Sequence, residues 1–221
     1  ALAVTRADQD VTALVYAGLM KINPDGILVP DLAESVTPSA DGKTYNVILR
    51  QGLEFHDGTP LTAADVVFTI GLIQNPDLKS PLRGNWSGVT VEEIGEHELN
   101  IVLAEPYAPF IENFTVGILP KHIWNNLPIE QIPFSTYNTA PIGAGPFAIT
   151  KTTHDADGLI EQYTLSQFTK NEPVKLDAIE LNFYQNEADI TTAFINRDIT
   201  STVYLPTHDI TNLTQNTGNT V

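Results

Sequence analysis

Residues 45–74 constrain the fold more tightly than any other stretch, because they spell a strand, a turn and a capped helix in direct succession. Tyr45, Val47 and Leu49 alternate with Asn46, Ile48 and Arg50, which predicts a strand with one well-defined apolar face. His56-Asp57-Gly58-Thr59-Pro60 reads as a turn. Thr62 and Asp65 follow at capping-box spacing. The threonine hydroxyl can accept from the amide at Asp65, and the carboxylate can reach back to the amide at Thr62. Leu61 and Val66 occupy the hydrophobic-staple positions around that cap. Val66, Ile70 and Ile73 line one helical face, and Asn75-Pro76 stops the helix because the residue before a proline avoids helical angles.

The flanking sequence keeps to the same mixture. Asp8-Gln9-Asp10 opens a helical stretch whose apolar face is Val11, Leu14, Val15, Gly18 and Leu19. Asn23-Pro24-Asp25-Gly26 and Asp41-Gly42 are turns, with an extended piece at Ile27 to Val29. Leu99, Ile101 and Leu103 alternate as a strand. Pro109 starts a short helix through Phe114, and Pro120 opens another carrying Ile123 and Trp124. Asn125 to Pro141 reads as a long connection. Gly143-Ala144-Gly145-Pro146 is a tight turn into a strand, Phe147 to Thr150. Further strands are expected around Tyr163 and Leu165, at Ile179, Leu181 and Phe183, and at Val203 to Leu205. Ala188 to Ile195 reads as a helix, and the polar end from Asn212 as frayed. The element order is α+β, without the regular βαβ alternation of a doubly wound sheet.

Charge and residue usage narrow the function classes. The 221 residues carry 27 acidic and 11 basic side chains, a net charge of -16. Phosphate backbones need clustered Lys and Arg, so nucleic acid is not an expected partner. The acidic excess reads as a solvated surface ahead of a cleft for cationic solutes. There is no cysteine, which removes thiolate metal sites and cysteine nucleophiles. No GxGxxG, P-loop, HExxH or GxSxG pattern occurs. His56, His97, His122, His154 and His208 are scattered rather than set at ligand spacing. The residues therefore predict no catalytic group, no metal site and no cofactor.

The block from Tyr45 to Phe68, with Leu49-Arg50, Phe55-His56-Asp57-Gly58-Thr59-Pro60 and Thr62-Ala63-Ala64-Asp65-Val66, resembles the signature of family 5 extracellular solute-binding proteins. These are the peptide- and nickel-type binding proteins of ABC importers. Tyr16-Ala17-Gly18-Leu19, Pro30-Asp31-Leu32-Ala33-Glu34-Ser35, Ile118-Leu119-Pro120-Lys121-His122-Ile123 and Pro141-Ile142-Gly143-Ala144-Gly145-Pro146-Phe147 resemble other family blocks, in the family's order. Ala144 stands where the family usually has Thr, and Asn196 to Thr200 departs from its Gly-Glu-Ile-Asp.

The resemblance implies a periplasmic-binding-protein type II-like first lobe. Its main subdomain would be residues 1–40 with 140–221, and 41–139 would form an inserted smaller α/β subdomain. A second ligand-binding lobe is expected to follow, outside this chain, with the start trimmed as well. Leu49, Arg50, His56, Asp57, Gly58, Thr62 and Asp65 are expected to serve as core, turn and cap. Leu82, Arg83, Asn85, Trp86, Ile142 and Gly143 are the expected ligand-side residues, Trp86 either stacking on a ligand or packing as an anchor. The implied partners are a small solute, foremost a peptide held by strand-like backbone pairing, and the membrane permease subunits. The implied location is periplasmic or extracellular, with a lipid anchor at the cell surface. Nickel, haem, opines and oligosaccharides are alternative solutes, and a ligand-sensing domain of a regulatory protein is the alternative role. An enzyme is disfavoured because no site supports one.

Overall fold

A computed structural model describes residues 3, 5–171 and 175–202. Thr5 caps the first helix, α1 (Arg6–Val15): its hydroxyl accepts from Asp8 N, and the Asp8 carboxylate accepts from Thr5 N. That reciprocal cap starts the helix earlier than Asp8. It ends at Val15, so Gly18 and Leu19 do not extend its face as expected. Tyr16 turns extended (ψ 152°) and the Ala17 carbonyl accepts from Ile118 N at 2.9 Å, drawing the chain away from the helix axis.

Next comes a hairpin of β1 (Met20–Ile22) and β2 (Leu28–Pro30). The Asn23 side-chain carbonyl closes it by accepting from Asp25 N and Ile27 N. Four strands then form an antiparallel sheet: β3 (Ala33–Pro38), β4 (Thr44–Leu49), β5 (Thr90–Gly95) and β6 (Glu98–Val102), in the order β3-β4-β6-β5. Opposite Tyr45 stands Ile101, and opposite Val47 stands Leu99, so the expected apolar faces meet across one ladder and are buried. On the other face, Asn46 donates to Glu98 and Asn100.

The capped helix is α2 (Ala63–Gln74), and it ends before Pro76 as predicted. Its Val66, Ile70 and Ile73 share one core with Val47, Leu49, Leu99 and Ile101. The segment through Pro109 is a 3-10 helix, Ala108–Thr115, and Pro120 precedes α3 (Lys121–Trp124). The connection up to Pro141 contains two 3-10 turns, Ile129–Phe134 and Thr136–Asn138. A smaller apolar cluster gathers Leu72, Leu78, Leu119, Trp124 and Ile132.

Packing divides the chain into two compact units. One is residues 1–149 with 166–178; the other takes 150–165 and the chain from 179 onward. The second holds most of a three-stranded sheet in the order β7 (Phe147–His154), β8 (Ile160–Gln167), β9 (Ala178–Asn182), followed by α4 (Glu187–Asn196). β7 runs four residues past the expected Thr150. The subdomain boundaries expected at 40/41 and 139/140 are a different partition and remain an expectation. Val203 to Leu205 and the end from Asn212 lie outside the described residues. No helix among the described residues is long and apolar enough to cross a membrane.

Candidate functional site

The turn at residues 53–60 organises the region that the sequence singles out. Phe55 and Leu61 are fully buried, and Leu53 nearly so, which anchors both arms of the turn. Phe55 N donates to Thr59 O at 2.8 Å and Leu61 N to Leu53 O at 3.0 Å. Gly58 sits at φ +82°, a conformation that disfavours any side chain. Asp57 accepts from Thr59 N through one oxygen and meets His122 Nε2 at 2.7 Å through the other. Burial works to raise the Asp57 pKa, but the bonds from His122 and Thr59 outweigh it and hold the carboxyl below its ordinary value.

His56 points the other way, into the turn after Pro141. Its backbone N donates to Gly143 O at 2.8 Å. Its ring Nδ1 accepts from Gly143 N at 3.3 Å, and Nε2 lies 3.0 Å from Gly145 O. Phe168 packs edge-on against the ring at 4.9 Å. Burial lowers the His56 pKa; the Gly145 carbonyl and the Asp57 charge act against it. Tyr16 packs beside the same turn, and burial raises its phenol.

Asp65 is 6 % exposed and fully employed. One carboxylate oxygen accepts from Thr62 N at 2.9 Å and from Thr62 Oγ1 at 3.1 Å; the other accepts from Lys121 N at 2.9 Å. It therefore joins the start of α2 to the start of α3. A shallow, open depression of about 330 Å³ lies there, lined by Thr59, Thr62, Asp65, Lys121, His122 and Asn125. None of the expected ligand-side residues borders it.

Those six fall into two groups on separate elements. Leu82 precedes a 3-10 turn, Arg83–Trp86. Leu82 rests partly buried on the main core. Arg83 donates through Nε to Gln74 O at 3.1 Å, and Asn85 donates to the Asn113 side chain at 3.0 Å; both are exposed contacts. Trp86 is 1 % exposed, with its ring 5.2 Å from Phe110 and 6.4 Å from Phe114. The indole packs as an anchor, one of the two roles expected of it. Ile142 is half-buried against the core. Gly143 spends both backbone polar groups on His56, and a Cβ there would lie 2.0 Å from Val15 O. The position needs glycine so that two backbones can touch.

Sequence reading missed Asn171. Buried, it accepts from Glu54 N at 3.0 Å and donates to Glu54 O at 2.8 Å and Ala144 O at 2.9 Å. Its own carbonyl accepts from Arg50 Nη1 at 2.7 Å. Its partners lie 27 to 121 positions away, beyond the reach of any local pattern. Among the described residues, no three His, Asp or Glu side chains converge closely enough to hold a metal ion.

The family model described as "Bacterial extracellular solute-binding proteins, family 5 Middle" matches residues 28–221. The chain belongs to that family. Among family 5 relatives, the oligopeptide-binding protein AppA of Bacillus subtilis is 34 % identical over 145 residues, covering 64 % of this chain and 27 % of AppA. The solved structure of AppA with a nonapeptide superposes with a TM-score of 0.85 at 27 % identity, over 97 % of this chain and 42 % of AppA. The structure of NikZ from Campylobacter jejuni with Ni(L-His) gives 0.85 at 27 % identity, over 99 % of this chain and 43 % of NikZ. The chain thus has the mixed α/β fold of a family 5 lobe, and it spans less than half the length of each of these proteins.

Proposed function

We propose that this chain is part of the solute-capturing component of an ABC importer, working outside the cytoplasmic membrane, with peptides as its solute class. The observation that carries this reading is the whole-chain match to AppA holding a nonapeptide, together with the family match over 28–221. A peptide bound as an added strand uses backbone pairing for affinity and side-chain pockets for selection. Leu82, Arg83, Asn85 and Ile142 remain candidates for the contacts made from this side. The reading includes partnership with permease subunits, a lipid anchor, a binding rather than catalytic role, and the subdomain division at 40/41 and 139/140.

Family 5 relatives are longer, and capture between two lobes would place part of the contact on sequence beyond this match. Contacts split across a hinge lose most of their affinity when one side is missing. Titration calorimetry with a defined nonapeptide should therefore give a Kd of about 100 µM or weaker for this chain alone. Submicromolar binding would sink the two-sided account. A heat signal from Ni(L-His), with none from the peptide, would move the assignment to the nickel branch represented by NikZ.

A further inference from the structure

We infer that His56 is a proton-sensitive staple that locks the Gly143–Gly145 turn while its ring is neutral and releases it in acid. The two ring bonds carry the argument. Gly143 N–H points at Nδ1, so that nitrogen must present a lone pair. Nε2 faces the Gly145 carbonyl at 3.0 Å, so that nitrogen must carry the proton. Only the neutral Nε2–H tautomer satisfies both. A proton on Nδ1 sets one N–H against another, and Gly143 N then has no acceptor in a half-buried site.

Packing holds the turn as well, since Ala144 is buried in the main core and both glycines press on the Val15 backbone, but few hydrogen bonds among the described residues do. Asn171 Nδ2 donates to Ala144 O, and Gly145 N donates to Val15 O at 2.9 Å. Among the described residues, the other bonds on Gly143 N, Gly143 O and Gly145 O go to His56, two to its ring and one to its backbone N. The titratable groups on the elements packed around the ring are few. Asp57 and Glu54 lie on its own turn, and His122 is bonded to Asp57. Lys170 follows Phe168 and pairs with Glu54 at 3.2 Å. Arg50 bonds to Asn171, and Tyr16 stands at the end of α1 behind Gly143. Asp57 favours the charged ring, whereas burial, the larger effect, favours the neutral one. A histidine whose folded pKa lies below 6.5 stabilises the fold fully above about pH 6.5. That contribution falls away as pH drops from there toward the folded pKa. The staple does not depend on which solute the chain binds.

Nitrogen-15 NMR of the wild-type chain reads the tautomer directly. At about pH 7.5 the His56 ring should show a protonated Nε2 and a bare Nδ1. Amide exchange at Gly143, corrected for its intrinsic pH dependence, should accelerate severalfold between about pH 7.5 and pH 5, as protonation removes its acceptor. In His56→Asn, which keeps an acceptor near the Nδ1 position and cannot titrate, the corrected rate should be flat with pH. If that variant does not fold, the wild-type tautomer and exchange profile decide alone. A protonated Nδ1 at neutral pH, or a corrected Gly143 rate that does not change with pH, would overturn the assignment.

Discussion

The two compact units are built on different terms. The first surrounds a closed interior in which Tyr45, Trp86, Phe110 and Phe114 pack ring against ring, and Val47, Leu49, Leu61, Val66 and Ile73 are wholly shielded. In the second, the buried hydrophobic residues among those described are Tyr163, Leu165 and Ala193, with one aromatic pair, Tyr163 and Phe183, at 5.5 Å. Leu159 and Ile195 are left largely open. Full burial of one large apolar side chain contributes about 1.5–3 kcal/mol, so the first unit has a reserve of stability that the described part of the second lacks. A three-stranded sheet with a thin apolar cover is near the lower limit of independent stability. The difference teaches that backbone pairing can set a strand order while side-chain burial decides how firmly it is held.

The harshest test of that contrast is Trp86→Ala. Removing an indole from the centre of the aromatic cluster should cost about 3–5 kcal/mol, read as a drop in urea midpoint by circular dichroism. A loss under 1 kcal/mol would show that the first unit's core is looser than its packing implies. Asp65→Ala comes next. It strands the amides of Thr62 and Lys121 at two helix starts, which should cost about 2–3 kcal/mol. Phe183→Ala, which removes half of the second unit's aromatic pair, should cost only about 1 kcal/mol. Both tryptophans, Trp86 and Trp124, belong to the first unit. Their fluorescence should therefore hardly register the Phe183 change, while amide exchange in β8 and β9 quickens. Equal shifts in both signals would mean that the units unfold together.

The same contrast marks what could be read in advance. The strand at Tyr45 to Leu49, the Thr62–Asp65 cap and the stop before Pro76 were legible because each is a local rule with its own residues. β3 and β5 were not. They are the edges of the sheet, and β5 (Thr90–Gly95) buries almost nothing, so no alternation marks it. The helical face drawn through Gly18 and Leu19 kept its period past Val15. It was overruled by the bond from Ile118 N to Ala17 O, made to a residue about a hundred positions away. For the site, the turn at His56 was legible as a turn, but its partners at Gly143 and Gly145 were not. The interior places of Trp86 and Gly143 were equally hidden. An aromatic beside Asn looks the same in sequence whether it faces a ligand or a core, and a glycine does not announce what lies against it.

The smallest effect belongs to the first unit's own surface. Phe134 is 87 % exposed at the end of the 3-10 turn Ile129–Phe134, whereas Ile132 two residues earlier is buried against Trp124 and Leu119. An aromatic ring that stays in water gains almost nothing from folding. Phe134→Ser should therefore leave the urea midpoint within about 0.5 kcal/mol of wild type, while Ile132→Ala should cost about 2 kcal/mol or more. A large loss from Phe134→Ser would mean that the ring is covered in solution, and the boundary between core and surface in this unit would have to be redrawn.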